Sequence, residues 1–275
     1  MARVEPANAP QPEREWGSPD RALVEATASA FGAQWTEFAL DAAVSREDLL
    51  LHLPSAWDES VFSGRVLDVG CGMGRYTALV ADHGAEVVGI DLSSAVEKAA
   101  QLWPHCSFVQ GDIMAPPFTP RSFDLVYSFG VLHHLPDPIR GLCRCYELVK
   151  PGGRLLVWVY SSHGGILRRG RCIARKAVRQ APLLLRPLAY AAAGLIFLAY
   201  VAPSKITGRH AGKLSYYRSK GFRQLFVDCH DALAAPTELY LSEQDCREWL
   251  CALGARLSGF EPRGDGSGWI LWAVK

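Results

Sequence analysis

Three aspartates, Asp68, Asp91 and Asp112, each stand at the end of a short apolar run, and the first leads into Gly70-Cys71-Gly72-Met73-Gly74. Apolar runs of this length read as strands. A glycine turn between a strand and a helix lets a ligand approach the backbone, because no Cβ stands in its way. Dinucleotide-binding enzymes use such a turn too, but their G-x-G-x-x-G pattern would need a third glycine at position 75, where this chain has Arg75. Asp68, two residues before Gly70, would repel a pyrophosphate and suits an ammonium group. Asp91 follows about twenty residues on, where an acid accepts hydrogen bonds from both hydroxyls of a ribose. Asp112, in Gln110-Gly111-Asp112-Ile113, is placed for an adenine amino group. Three acids and one glycine turn fit a cationic nucleoside that carries no phosphate.

The elements that must position these acids alternate strand and helix. Strands are predicted at 65–69, 86–90, 106–110, 123–128 and 154–160. A helix over 137–149 stops before the breaker Pro151-Gly152-Gly153, and Ser93 or Ser94 caps the helix after the second strand. The last of these strands is apolar on both faces, as in the buried centre of a parallel sheet. A helix from Ser242 to Gly254, opened by what resembles a capping box without its usual Glu or Gln, precedes closing strands at 255–261 and 268–274. The fold class is α/β, a doubly wound and mostly parallel sheet with one antiparallel strand at or near an edge. Four segments follow: a disordered tail over 1–20, N-terminal helices and ligand-binding core over 21–160, an inserted helical cap over 161–241, and the completion of the core over 242–275.

The stretches VLDVGCGMGRYT, VVGIDLS, GDIMAPPF, SFDLVYSFGVLHHLPDP and LVKPGGRLLVW stand in this order along the chain. Together they resemble the class I S-adenosylmethionine-dependent methyltransferases of the small-molecule type, over 64–160 and again from 242 to the end. The resemblance implies a seven-stranded, Rossmann-like methyltransferase fold and S-adenosylmethionine as cofactor. It implies that Asp68, Gly70 and Gly72, with Cys71 between them, hold the methionine end. Asp91 and Leu92 would then hold the ribose, Asp112 and Ile113 the adenine, and Ser128 to Gly130 would line the cavity.

His133-His134, just past the fourth strand, is the natural place for a general base, since imidazole titrates near neutrality. In resembling O-methyltransferases the first histidine of a similar pair faces the acceptor. His133 is therefore the preferred base, and His134 the second candidate, reading more simply as a loop anchor. Candidate acceptor contacts are Trp35, Tyr160, Tyr216, Tyr217, Arg223 and His230, with Asp231 beside the last. Trp35, in Phe31-Gly32-Ala33-Gln34-Trp35, either closes over the cofactor or packs a helix on the sheet. No metal is implied: the eight cysteines are scattered, none in zinc-ligand spacing, and they read as reduced thiols of a cytoplasmic protein.

The inserted cap departs from the even charge of the whole chain, which is +1 and excludes a general electrostatic affinity for nucleic acid. Arg168, Arg169, Arg171, Arg175, Lys176, Arg179 and Arg186 are followed by an uncharged, apolar stretch over 187–203, and no acid interrupts them. Three readings stand open. The cap covers the site, or it binds a lipid-like or natural-product acceptor, or residues 168–203 make a peripheral contact with an anionic membrane. The function expected is methyl transfer to a small-molecule acceptor. The alternatives are a non-methylating reaction such as cyclisation on the same scaffold, and a non-catalytic binding module, which would have no need of the three acids.

Overall fold

The computed structural model describes residues 2–3, 29, 32, 46–162, 165–203, 213–235 and 238–275. The first strand, β1 (Ala2–Arg3), is followed by α1 (Arg46–Leu50), β2 (Arg65–Val69), α2 (Arg75–Ala81), β3 (Glu86–Asp91), α3 (Ala95–Leu102) and β4 (Ser107–Gln110). Then come β5 (Phe123–Phe129), α4 (Pro138–Leu148) and β6 (Val149–Tyr160). Strands β4, β3, β2, β5 and β6 lie side by side and run parallel. After the described helices α5 (Gly165–Gln180), α6 (Leu185–Ile196) and α7 (Lys213–Ala234), the chain returns through α8 (Glu243–Cys251) to β7 (Leu257–Pro262) and β8 (Gly268–Val274). Strand β8 is antiparallel to both of its neighbours, β6 and β7. The sheet is thus the doubly wound, mostly parallel one that the strand–helix alternation predicts.

The burial of β2 shows why the sheet needs helices on both faces. Leu67 and Val69 belong to the apolar layer shared with Leu142 and Leu148 of α4 and Trp249 of α8, while Val66 belongs to the opposite layer with Leu49 and Val80. Successive side chains of a strand point to opposite faces, so a run apolar at every position must be covered twice.

Three local features differ from the sequence reading. Ala2–Arg3, assigned to a disordered tail, pairs antiparallel with Gly259 and Phe260 and adds a two-residue eighth strand at the β7 edge. Pro151-Gly152-Gly153 lies inside β6 instead of preceding it. The pairing of β5 with β6 shifts register between Phe123 and Leu125, and Gly152 takes a φ of +80°, so the glycines absorb a bulge that most residues could not. The capping box of α8 is complete with an aspartate in its third position. The Ser242 hydroxyl accepts from the Asp245 amide at 3.3 Å, and the Asp245 carboxylate accepts from the Ser242 amide at 2.7 Å.

The helices α5 to α7 leave and rejoin the sheet at one point. Ser161 and Leu241 form a parallel bridge, and the Leu241 amide donates to Tyr160 at 2.9 Å. Between these positions α6 and α7 share a small apolar core of their own around Ala189, Ala193, Leu225 and Phe226.

Candidate active site

Strand order reverses between β2 and β5, and a crevice opens there at the carboxyl ends of the strands, the general ligand position in open α/β sheets. It encloses a cavity of about 150 Å³ and is open to solvent on one side. Each strand end contributes to its wall: Val69 and Gly70 at the end of β2, Ile90, Asp91 and Leu92 at the end of β3, and Gly111, Asp112 and Ile113 just past β4. Phe129 ends β5 and Gly130 and Val131 follow it, with His134 and Leu135 beyond them, and Asp231 enters from α7. Asp91, Asp112 and Asp231 are the charged residues among the described ones that line it, so the wall suits a cationic ligand and repels a phosphate.

Gly70 has a φ of +75°, and a Cβ there would come within 2.3 Å of Val131 Cγ2. Both the backbone angle and the close approach require glycine. Gly70→Ala is expected to lower stability by about 1–3 kcal/mol through left-handed strain and displacement of Val131. Urea denaturation of the purified variant measures it.

Asp91 ties the two loops of the crevice together. Its Oδ2 accepts from the Gly72 amide at 2.8 Å, and its Oδ1 from the Ser93 amide at 2.8 Å and the Ser93 hydroxyl at 2.7 Å. Ser94 stands at the helix N-cap without a side-chain bond, so Ser93 serves Asp91 more than it serves α3. Asp112 is held in turn by the Met114 amide, which donates to its Oδ1 at 2.8 Å.

Several residues assigned to the cofactor from sequence do not form the cavity wall. Asp68 is 4% exposed beneath the loop, where its carboxylate accepts from the Thr77 hydroxyl at 2.7 Å. Burial pushes the Asp68 carboxyl up to about 7, against the opposing pull of Thr77 and Tyr127, with Asp91 adding a smaller upward push. Cys71 packs under Gly89, and burial drives its thiol far above the usual range, so it stays neutral. Gly72 contributes its amide to Asp91, as described. Ser128 is fully buried and donates to the Val69 carbonyl at 3.0 Å, stapling β5 to β2; its successors Phe129 and Gly130 reach the cavity.

The histidine pair is placed the opposite way round from the sequence reading. His134 lines the cavity, whereas His133 is wholly buried between His134 and Tyr160, with ring centroids 4.2 and 4.0 Å away. Neither ring nitrogen of His133 has a hydrogen-bond partner among the described residues. Burial, then His134 and Arg175, hold its pKa well below the usual imidazole value, so the ring is neutral. The two side chains diverge because 132–134 is a tight 3-10 turn closed by the His134 amide on the Val131 carbonyl at 2.9 Å.

Tyr160 is packed against His133, Trp158 and Tyr240 and does not line the cavity. Tyr217 donates to Asp228 Oδ2 at 2.6 Å within the cap, His230 is buried near Phe226, and Arg223 lies exposed on α7. Trp35 and the side chain of Tyr216 lie outside the described residues. Gly32, three residues before Trp35, is helical and buried, and a Cβ on it would meet Ser93 Cβ at 3.0 Å, so Gly32 itself lies against the loop that holds Asp91.

Sequence reasoning missed two supports of the site. His52 stacks on the cavity residue Phe129 with centroids 4.2 Å apart, and burial lowers its pKa well below the usual value. At the cap's return, Arg175 pairs with Glu238 out of solvent, its Nε donates to the Ala232 carbonyl at 2.7 Å, and Tyr240 donates to the same carboxylate. A single acid before the return strand was the only signal, and sequence gives no way to pair it with Arg175.

Residues 67–157 match the family model described as a methyltransferase domain. Trans-aconitate 2-methyltransferase of Deinococcus radiodurans is 43% identical over 103 residues, 36% of this chain and 39% of that protein. A ubiquinone biosynthesis O-methyltransferase of Xanthomonas campestris is 40% identical over 99 residues, 34% of this chain and 41% of its own length. The chain thus spans about two fifths of the curated relatives it matches. The solved structure of Burkholderia thailandensis 1,6-didemethyltoxoflavin-N1-methyltransferase, with 1,6-didemethyltoxoflavin and S-adenosylhomocysteine bound, aligns with 99% of this chain and 95% of its own. Its TM-score is 0.54 at 19% identity, a likeness of fold.

Proposed function

We propose that the chain is, across its core, a class I S-adenosylmethionine-dependent methyltransferase, and that it transfers the methyl group of S-adenosylmethionine to a small-molecule acceptor held between the sheet and α7. The observation that carries the reading is the cavity itself, lined by Asp91, Asp112 and Asp231 with no described cation among them. A sulfonium cofactor brings a positive charge and a methyl group already activated for transfer, and needs no metal. Two relatives matched over this core are named for methylating trans-aconitate and for an O-methylation in ubiquinone biosynthesis, which supports an acceptor of metabolite size.

The chain's own residues divide the work. Asp91 and Leu92 hold the ribose, Asp112 and Ile113 the adenine, and Gly70 leaves the backbone open to the methionine end. Asp68 lies directly beneath that end and, once ionised, balances its ammonium group. His134 and Asp231 face each other's side of the cavity from the sheet and from the cap, and His134 takes the proton of an acceptor hydroxyl. The cap and the aromatic wall of Phe129 exclude water from the transfer. The seven described cysteines form no disulfide with one another, which suits a reducing, cytoplasmic setting.

The test is a calorimetric titration with S-adenosylhomocysteine at two pH values. Since the buried Asp68 carboxyl titrates at about 7, the ligand's ammonium meets a neutral acid below that pH and an anion above it. Affinity is expected to tighten roughly tenfold between about pH 6 and pH 8, with a proton released on binding. Binding that is independent of pH would remove Asp68 from the cofactor site, and no binding by the folded protein would overturn the reading altogether. With binding established, acceptors are screened by the gain of one methyl mass.

A further inference from the structure

One surface of the cap is unlike the rest of the molecule. The helical run Pro182–Val201 is long and apolar enough to cross a membrane, yet only 17% of its most apolar window is buried, where a core helix would be mostly covered. Its inward face is narrow: Ala189, Ala193 and Val201 are wholly buried in the small core shared with α7. Its outward face leaves Leu183 at 91% exposure, Leu195 and Leu198 at 71%, and Tyr200 at 59%. So much exposed apolar side chain on one helical run is uncommon on a monomer and marks a place of contact.

Charge decides what the contact is. Lys176 and Arg179 of α5 and Arg186 of α6 are exposed, and no acid occurs anywhere between 165 and 203. A two-fold dimer through this face would bring together two sets of these cations with no acid in the segment to offset them, an arrangement that like-charge repulsion disfavours. A bilayer with anionic headgroups satisfies both halves of the surface at once: leucines enter the acyl boundary and cations remain at headgroup level. We infer that the cap is a peripheral docking surface for an anionic lipid bilayer, with Leu183, Leu195, Leu198 and Tyr200 inserted and Lys176, Arg179 and Arg186 on the phosphates. The same helix pair serves the cavity, because α6 packs on α7 and α7 supplies Asp231. The docked enzyme therefore keeps the acceptor side of its cavity next to the lipid.

The experiment is flotation of the full chain with phosphatidylcholine vesicles, with and without phosphatidylglycerol. Wild-type protein is expected to float with the anionic vesicles only, and to be released by high salt and by alkaline carbonate. Lys176→Glu and Arg179→Glu should each weaken binding by roughly fivefold or more, from about one Lys or Arg contribution at an anionic surface. Leu195→Asp with Leu198→Asp should abolish it. S-adenosylhomocysteine binding, measured on the same preparations, is expected to be unchanged in all variants, which shows them folded and separates this inference from the methyltransferase reading. Failure to float, or equal flotation with neutral vesicles, overturns it. So does a wild-type dimer that the double leucine variant converts to monomer without any vesicle binding. Resistance to carbonate extraction would make the run a spanning helix and overturn the peripheral contact as well.

Discussion

Asp91→Ala is expected to weaken S-adenosylhomocysteine binding by roughly 10²- to 10³-fold, the largest effect of any single change at the cofactor side. Two hydrogen bonds to a charged group, each worth about 1.5–3 kcal/mol, are lost from the ribose. The local damage adds to this. Asp91 accepts from the Gly72 amide and from Ser93, so its removal leaves three donors at the rim of the crevice without their acceptor and loosens both loops. Asp91→Asn separates the two contributions. An amide retains one acceptor oxygen, but its NH2 must face either the Gly72 amide or Ser93, donor against donor. The asparagine variant should therefore recover only part of the affinity. Ser93→Ala removes one of Asp91's three donors and leaves its charge, and a loss within about tenfold is expected. Calorimetry on the three variants reads the order directly; an alanine variant binding as tightly as wild type would take Asp91 out of the site.

The reach of sequence reading can be seen in this same loop. Asp91 was legible because a strand end, a glycine turn and a spacing fix its place before any packing is known. Ser93 was not, since a serine two residues past a strand reads first as a helix cap, and only the loop's path shows its hydroxyl turned back to the carboxylate. Asp68 was legible as a strand-end acid, but its burial was not. Its position in sequence gives the strand end, whereas its burial follows from Thr77 and Tyr127 closing over it from neighbouring elements. The sheet was read almost strand for strand because period and length carry that information locally. Its exceptions, the β1 pairing and the glycines inside β6, depend on partners far away in the chain. The cap is the extreme case. Its composition announced a greasy and basic surface, but that α7 would bring Asp231 to the cavity is a matter of how three helices pack, which no local pattern encodes.

His134→Ala is expected to lower kcat by about 10²–10⁴ toward a hydroxyl acceptor, the usual worth of a positioned general base, with little change in cofactor affinity. His133→Phe should leave kcat within roughly threefold, since the ring it replaces is neutral, makes no hydrogen bond among the described residues and is held by aromatic packing alone. The contrast is a strong one because the two residues are adjacent, so any general disturbance of the loop would affect both. The His134 effect must also depend on the acceptor. A base matters in proportion to how tightly the acceptor holds its proton, so the loss should shrink across a series of increasingly acidic phenols and vanish for one already ionised. A variant defect that is the same for every acceptor would mean that His134 shapes the pocket without moving a proton. If instead His133→Phe were the inactive variant, the buried histidine would have to turn into the cavity during turnover. That would break its packing on Tyr160 and thereby expose the joint at which the cap rejoins the sheet.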